Sequence, residues 1–187
     1  MVQIAQMSGL TPLVEETSLL SSLRAIRNQI KDNAILVDIG NTSTDIAILQ
    51  DGKLKQTSSL ATAGEALTRA ISQGLSLSFP QAEKYKHTYG LETDQLEGKI
   101  AKVMQGPINN IVDHINKNIR FVKSLNNEAR VDQIVLSGGT SLLPNISYFL
   151  VNQMNIEVDL ANPLNDCLNK NLPDQLISNA PRFCSVI

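Results

Sequence analysis

Ala34-Ile35-Leu36-Val37-Asp38-Ile39-Gly40-Asn41-Thr42-Ser43-Thr44 decides the fold. A short apolar run of this kind suits a strand buried on both faces. It ends on an aspartate, turns through a glycine and restarts at Thr44 as a second strand, to Leu49. Asp51-Gly52 is a strong hairpin signal, and Lys53 to Leu60 completes a three-strand meander. At the first turn Gly40 lets the backbone come close to an anion. Backbone amides there, from Gly40 and Asn41 onward, and the hydroxyls of Thr42, Ser43 and Thr44 are donors for phosphate oxygens. Asp38 suits a magnesium ion held through its waters. Taken alone, the same residues read as a polar hairpin whose aspartate accepts turn hydrogen bonds.

Before this stretch, Leu19, Leu20, Leu23, Ile26 and Ile30 recur at helical spacing, which predicts a helix from Glu15 to about Lys31. After it, two helices are expected. One spans about Gly64 to Leu75; the other opens at Ser78 with a capping box to Gln81 and stops at Gly90. From about Asp94 to Leu125 apolar residues keep a three-to-four rhythm, which Gly106-Pro107 should kink or split. Ile134-Val135-Leu136 reads as another buried strand. It runs into Ser137-Gly138-Gly139-Thr140, and Pro144 then opens a helix to about Met154. Ile156-Glu157-Val158 is a last strand, and the tail from Ala161 is loop-rich.

A strand ending in Gly138-Gly139 and turning into a helix leaves a flat surface for adenosine and phosphate. By itself it is also a plain tight turn. It carries no Gly-Lys-Ser/Thr of a Walker loop and not the spacing of the dinucleotide fingerprint.

Composition narrows the classes. Hydrophobic residues make up 42% and charged residues 18%, the balance of a globular chain. Aromatics are 4%, so the core must be aliphatic. Sixteen Lys plus Arg against eighteen Asp plus Glu give a net charge of −2 with no basic cluster, which argues against nucleic acid as a partner. Cys167 and Cys184 lack metal or redox spacing and read as reduced thiols. His87 and His114 have no carboxylate or cysteine at ligand spacing and read as surface or partly buried residues. No apolar run approaches the ~20 residues of a membrane span, and no secretion signal opens the chain, so a cytoplasmic location is expected.

An aspartate-glycine hairpin followed about a hundred residues later by strand-Gly-Gly-helix resembles the actin, sugar-kinase and heat-shock chaperone superfamily from about Glu15 to the end. The resemblance implies an α/β, ribonuclease-H-like and actin-like three-layer domain: a mixed sheet with helices on both faces. It implies ATP and Mg2+ as cofactors. Asp38 would hold the metal through water, Gly40 to Thr44 the phosphates, and Gly138, Gly139 and Thr140 the adenosine. In the superfamily a Glu-x-x-Lys helix reaches the nucleoside, which falls on Glu83 and Lys86; without its flanking motifs this pair would read as a solvated helix face. The stretches Gly64 to Ile71, Leu77 to Glu83 and Val158 to Pro163 resemble the PilM family of type IV pilus assembly proteins. The FtsA family of division proteins is similar but fits less well from Gly64 to Glu83.

The PilM resemblance implies a cytoplasmic adaptor, peripheral to the inner membrane through its partners. Those partners are the N-terminal peptide of a PilN-like membrane protein and other pilus platform proteins. Family members clamp the nucleotide between two similar halves, and only one phosphate hairpin is present here. The expectation is therefore a second half cut at both ends: residues 1–31 as joining segment and helix, 32–187 as the nucleotide-facing half, and a smaller subdomain near 75–100. Such a half should bind ATP weakly or not at all and not turn it over, so no catalytic residue is assigned. Val2, Ile4, Met7, Leu10, Leu13 and Val14 have no place in the sheet and predict self-association. A nucleotide-independent interaction module and a small-molecule kinase are the competing classes.

Overall fold

A computed structural model describes residues 2–9, 11, 13–126, 128–165 and 172–186. Five strands form one mixed sheet: β1 (Ala34–Ile39), β2 (Thr44–Gln50), β3 (Lys53–Leu60), β4 (Gln133–Ser137) and β5 (Glu157–Leu160), in the order β3-β2-β1-β4-β5. β1 to β3 form the antiparallel meander, while β4 runs parallel to both β1 and β5. At the meander's tight turn Asp51 and Gly52 both have positive φ (53° and 67°), the combination a two-residue hairpin needs to match strand twist.

The helices are α1 (Val2–Met7), α2 (Ser18–Ala25), α3 (Gly64–Leu75), α4 (Phe79–Tyr89), α5 (Lys99–Leu125), α6 (Ile146–Met154) and α7 (Asp174–Ser178). Alternation along β1 sorts the layers. Ile35, Val37 and Ile39, with Ile46, Ile48, Ile134 and Leu136 of the neighbouring strands, face the stripes of α3, α5 and α6. Ala34 and Leu36, with Ala47, Leu49 and Val135, face Leu19 of α2, Ile26, Ile30 and Cys184. Both faces of the sheet are therefore covered by helical segments, as expected for the three-layer actin-like architecture. Ala82 of α4 and the adjacent Leu91 belong to the same buried cluster as α3 and α5.

Three element boundaries differ from the sequence reading. The first helix is α2 alone, capped by the Thr17 hydroxyl, which accepts from the Leu20 amide at 3.4 Å. Past Ala25 the chain turns so that Ile26 and Ile30 stay buried while Gln29 bonds the Leu160 carbonyl at 2.6 Å. Second, α5 runs unbroken through Pro107; the break falls earlier, where Leu96 and Glu97 take positive φ before Gly98. Met104, Ile108 and Ile111 flank the proline and are all buried, so packing of one continuous stripe overrides the lost hydrogen bond. Third, a 3-10 turn (Gly139–Leu142) separates β4 from α6, which begins at Ile146 rather than Pro144.

Ile4, Met7, Leu13 and Val14 are exposed. The Val2 side chain, Leu10 and Cys167 lie outside the described residues.

Candidate nucleotide cleft

Because β1 and β4 are parallel neighbours with Asp38 opposite Ser137, the Gly40 turn and the Gly138-Gly139 turn leave the sheet side by side at its C-terminal edge. They are also bonded. The Thr140 hydroxyl donates to the Gly40 carbonyl at 2.8 Å. Gly138 adopts φ 84°, ψ 166°, and a Cβ there would lie 2.5 Å from the Ile39 carbonyl oxygen and 2.7 Å from Asp38 Oδ1. The amide of Gly138 donates to the Pro181 carbonyl at 2.9 Å, which draws the C-terminal 3-10 turn (Ala180–Phe183) to the same edge.

The start of α3 docks on the first turn. Gly64 N–H donates to Gly40 O (3.1 Å) and Glu65 N–H to Asn41 O (2.8 Å). A side chain at Gly64 would meet Thr140 Oγ1 at 2.6 Å, so the three segments close on one another through a glycine. Lys86 of α4 fastens them. Its ammonium is buried and donates to Gly64 O (3.1 Å), Thr68 Oγ1 (2.8 Å) and Glu83 Oε2 (2.8 Å), which uses all three protons. Burial pushes the Glu83 carboxyl upward, but hydrogen bonds from Lys86 and Thr68 and the Lys86 charge outweigh it and hold the group below its ordinary value.

These pieces enclose an open cleft of about 240 Å³ lined by Gly40, Asn41, Glu83, Lys86, His87, Gly139, Thr140 and Arg182. A Cβ on Gly139 would touch nothing within 4 Å, so the glycine is a bare floor rather than a packing requirement. A larger groove of about 450 Å³ adjoins it at Asn41 and continues past Thr42 along Glu65 and Arg69 of α3.

Asp38 lies beneath the strand end on the α2 face. Its Oδ2 accepts from Ser137 Oγ (2.9 Å) and Ser22 Oγ (3.4 Å). Burial raises its carboxyl above the ordinary value, Asp45 on the paired strand adds to this, and the two serine hydroxyls oppose it. Next to it the buried Cys184 thiol is pushed up to about 12, by burial first and then by the Asp38 charge, so it is an inert core group.

The structure brings Gly40, Asn41, Gly139, Thr140, Glu83 and Lys86 together at one cleft, with Gly138 under it and Thr42 on the adjoining groove. It withdraws several expected side-chain donors. The Thr44 hydroxyl is buried and donates to the Thr62 carbonyl at 2.7 Å; the Ser43 hydroxyl donates to Asp45 at 2.9 Å. Thr140 and Lys86 are likewise spent inside the protein. The meander's alternation explains Thr44: its side chain points toward the interior like that of Ile46. Two lining residues, His87 and Arg182, are ones the sequence reading left on the surface or in the tail. For His87 the sequence reading is corrected: Glu83 lies one helical turn earlier, and its Oε1 is 2.9 Å from His87 Nε2.

Comparison with known proteins fits this geometry. The family model of cell division protein FtsA matches residues 35–187. The chain belongs to the FtsA family. The FtsA of Buchnera aphidicola subsp. Schizaphis graminum is 25% identical over 174 residues, which cover 78% of this chain and 42% of that protein. Among solved structures, the PilM-PilN type IV pilus biogenesis complex aligns with TM-score 0.76 at 19% identity, over 98% of this chain and 54% of that one. MreB5 of Spiroplasma citri bound to AMPPNP aligns with TM-score 0.68 at 15% identity, over 99% and 60%. At these identities the structures share the actin-like fold with this FtsA-family chain, which spans under two thirds of their length.

Proposed function

We propose that this FtsA-family domain is the ATP-facing half of a PilM-like adaptor, with the nucleotide seated at the C-terminal edge of β1 and β4. The observation that carries this reading is the meeting of the two glycine turns at one edge, the place where open α/β sheets hold ligands. Asp38 would hold Mg2+ through water and the backbone of the Gly40 turn the phosphates. Gly139 would lie under the adenosine, with Glu83 at its side. With Thr44, Ser43 and Thr140 turned inward and the Gly40 amide donating to the Ser43 carbonyl at 3.0 Å, phosphate recognition falls to the amides beyond Gly40 and to the side chains of Asn41 and Thr42. Lys86 acts by positioning α3 and Glu83 rather than by touching ligand.

When bound, the metal nucleotide would supply a charged group between this half and its counterpart. The cleft of about 240 Å³ would take the nucleoside and the adjoining groove of about 450 Å³ the phosphates. A ligand held from one side alone binds weakly, because the remaining contacts must still offset its lost freedom. The PilM assignment rests on the stretches at 64–71, 77–83 and 158–163, with the shared fold beside it. Its partners are a PilN-like N-terminal peptide, bound by the other half, and other platform proteins, with the exposed Ile4, Met7, Leu13 and Val14 as the surface for self-association. The FtsA family model favours a second reading, a cell-division actin homologue with the same nucleotide cleft; binding of a PilN N-terminal peptide by the two-half protein separates them.

Backbone NMR titration with ATP and magnesium tests the cleft. Shifts at Gly40, Asn41 and Gly139 are expected. Gly139→Leu should abolish them while leaving stability within about 0.5 kcal/mol, since a Cβ at this position meets nothing within 4 Å. Shifts confined to another surface would refute the site.

Asp38 gives a stability readout of opposite sign. A carboxyl whose folded value is raised above 3.8 stabilises the fold while protonated, and this contribution is lost as pH rises through the folded value. At neutral pH the ionised group opposes folding. Asp38→Asn should thus raise stability at pH 7, on the order of 1 kcal/mol, and weaken magnesium-dependent ATP binding. Thermal unfolding at pH 7 and near pH 3.5 checks it: the gain should shrink at the acidic end.

A further inference from the structure

We infer that Arg182 is the base-stacking residue of this cleft and that it grips the nucleoside by its flat face rather than by its charge; the inference rests on the nucleotide reading above. The guanidinium is exposed, and no described residue forms an ion pair or side-chain hydrogen bond with it, although it lines a cleft opposite the Glu83–His87 pair. Its backbone is held in place: Pro181 O accepts from Gly138 N–H at 2.9 Å, and Pro181 is buried. A free, planar cation on a fixed mount beside a bare glycine floor is arranged for a flat ligand.

Position favours the base. Arg182 shares its cleft with Gly139, Glu83 and His87 on the adenosine side and with Gly40 at its phosphate end, whereas Thr42, Glu65 and Arg69 line the groove beyond Asn41. Among the polar side chains of this cleft, Thr140 Oγ1 is committed to Gly40 O, Lys86 Nζ to Gly64, Thr68 and Glu83, and Glu83 Oε1 to His87 Nε2. What remains for the ring is stacking, for which Arg is well suited because its guanidinium is flat, delocalised and weakly hydrated. Stacking is tolerant of base identity, since every base has a π-face. ATP and GTP should therefore bind this half within a few-fold of each other.

Titrations of the chain with adenosine, ATP·Mg2+ and GTP·Mg2+, followed by NMR, test this. Arg182→Ala should weaken adenosine and ATP by the same factor, about tenfold. Arg182→Trp should restore both and Arg182→Lys neither. If Lys rescues, or if ATP loses affinity and adenosine does not, Arg182 acts on phosphate charge and the inference is wrong. Normal ATP binding by Arg182→Ala overturns it while leaving the cleft intact. No binding by the unaltered chain, with adenosine or ATP, overturns the nucleotide reading itself.

Discussion

Gly138→Ala is expected to remove about 3 kcal/mol or more of stability, enough to unfold a marginal domain. The backbone conformation at φ 84°, ψ 166° is one that essentially only glycine adopts, at a cost of about 1–3 kcal/mol for other residues. The added methyl would also sit 2.5 Å from the Ile39 carbonyl and 2.7 Å from Asp38 Oδ1. Neither neighbour is free to move. Ile39 ends a central strand buried on both sides, and Asp38 is held by Ser137 and Ser22. The adjacent Gly139→Ala is the control, because its Cβ meets nothing. Chemical denaturation of both variants should show a large loss for the first and almost none for the second. Equal losses would mean that the turn tolerates side chains and that the close approach of β1 and β4 is not what requires the glycine.

The contrast between these glycines marks how far the sequence could be read. The buried strands and the two turns were legible because β1 and β4 carry the runs Ile35-Leu36-Val37 and Ile134-Val135-Leu136 and are each followed by a glycine, a pattern that fits burial on both faces and a tight exit. That the turns would face one edge followed from both strands ending there. The fate of individual hydroxyls was not legible. Thr42, Ser43 and Thr44 are alike in composition, yet side-chain alternation sends Thr44 inward to Thr62 and Ser43 to Asp45, leaving Thr42 facing a groove. Pro107 misled for a related reason: local propensity marked a break, while a buried stripe on both sides kept α5 whole. Arg182 was hidden because its place depends on one long-range bond, Gly138 N–H to Pro181 O, that no local pattern encodes.

Lys86→Ala is expected to cost about 2–3 kcal/mol, the scale of breaking a buried charge pair from one side. The ammonium is almost wholly buried and joins α4 to α3, holding at the Gly64 carbonyl the end of α3 that docks on the Gly40 turn. Truncation takes one partner from the Gly64 carbonyl and one from Thr68, which stay bonded to each other at 3.0 Å, and leaves Glu83, whose side chain is 38% exposed, without its cation. The pH dependence identifies the cause. Glu83 is held below its ordinary value of 4.5, so its contribution is present above that value and lost as pH falls through the lower folded value. Lys86→Met keeps the apolar stem and removes the charge, so it should lose this acid-sensitive part and retain more of the packing. A double variant, Lys86→Met with Glu83→Gln, should be more stable than the sum of the single losses predicts, because the two groups act on each other. Additive losses in that cycle, with unchanged acid unfolding, would show that Lys86 is held by packing alone. The cleft would then be shaped by Gly64 and Thr140 without an electrostatic clamp behind them.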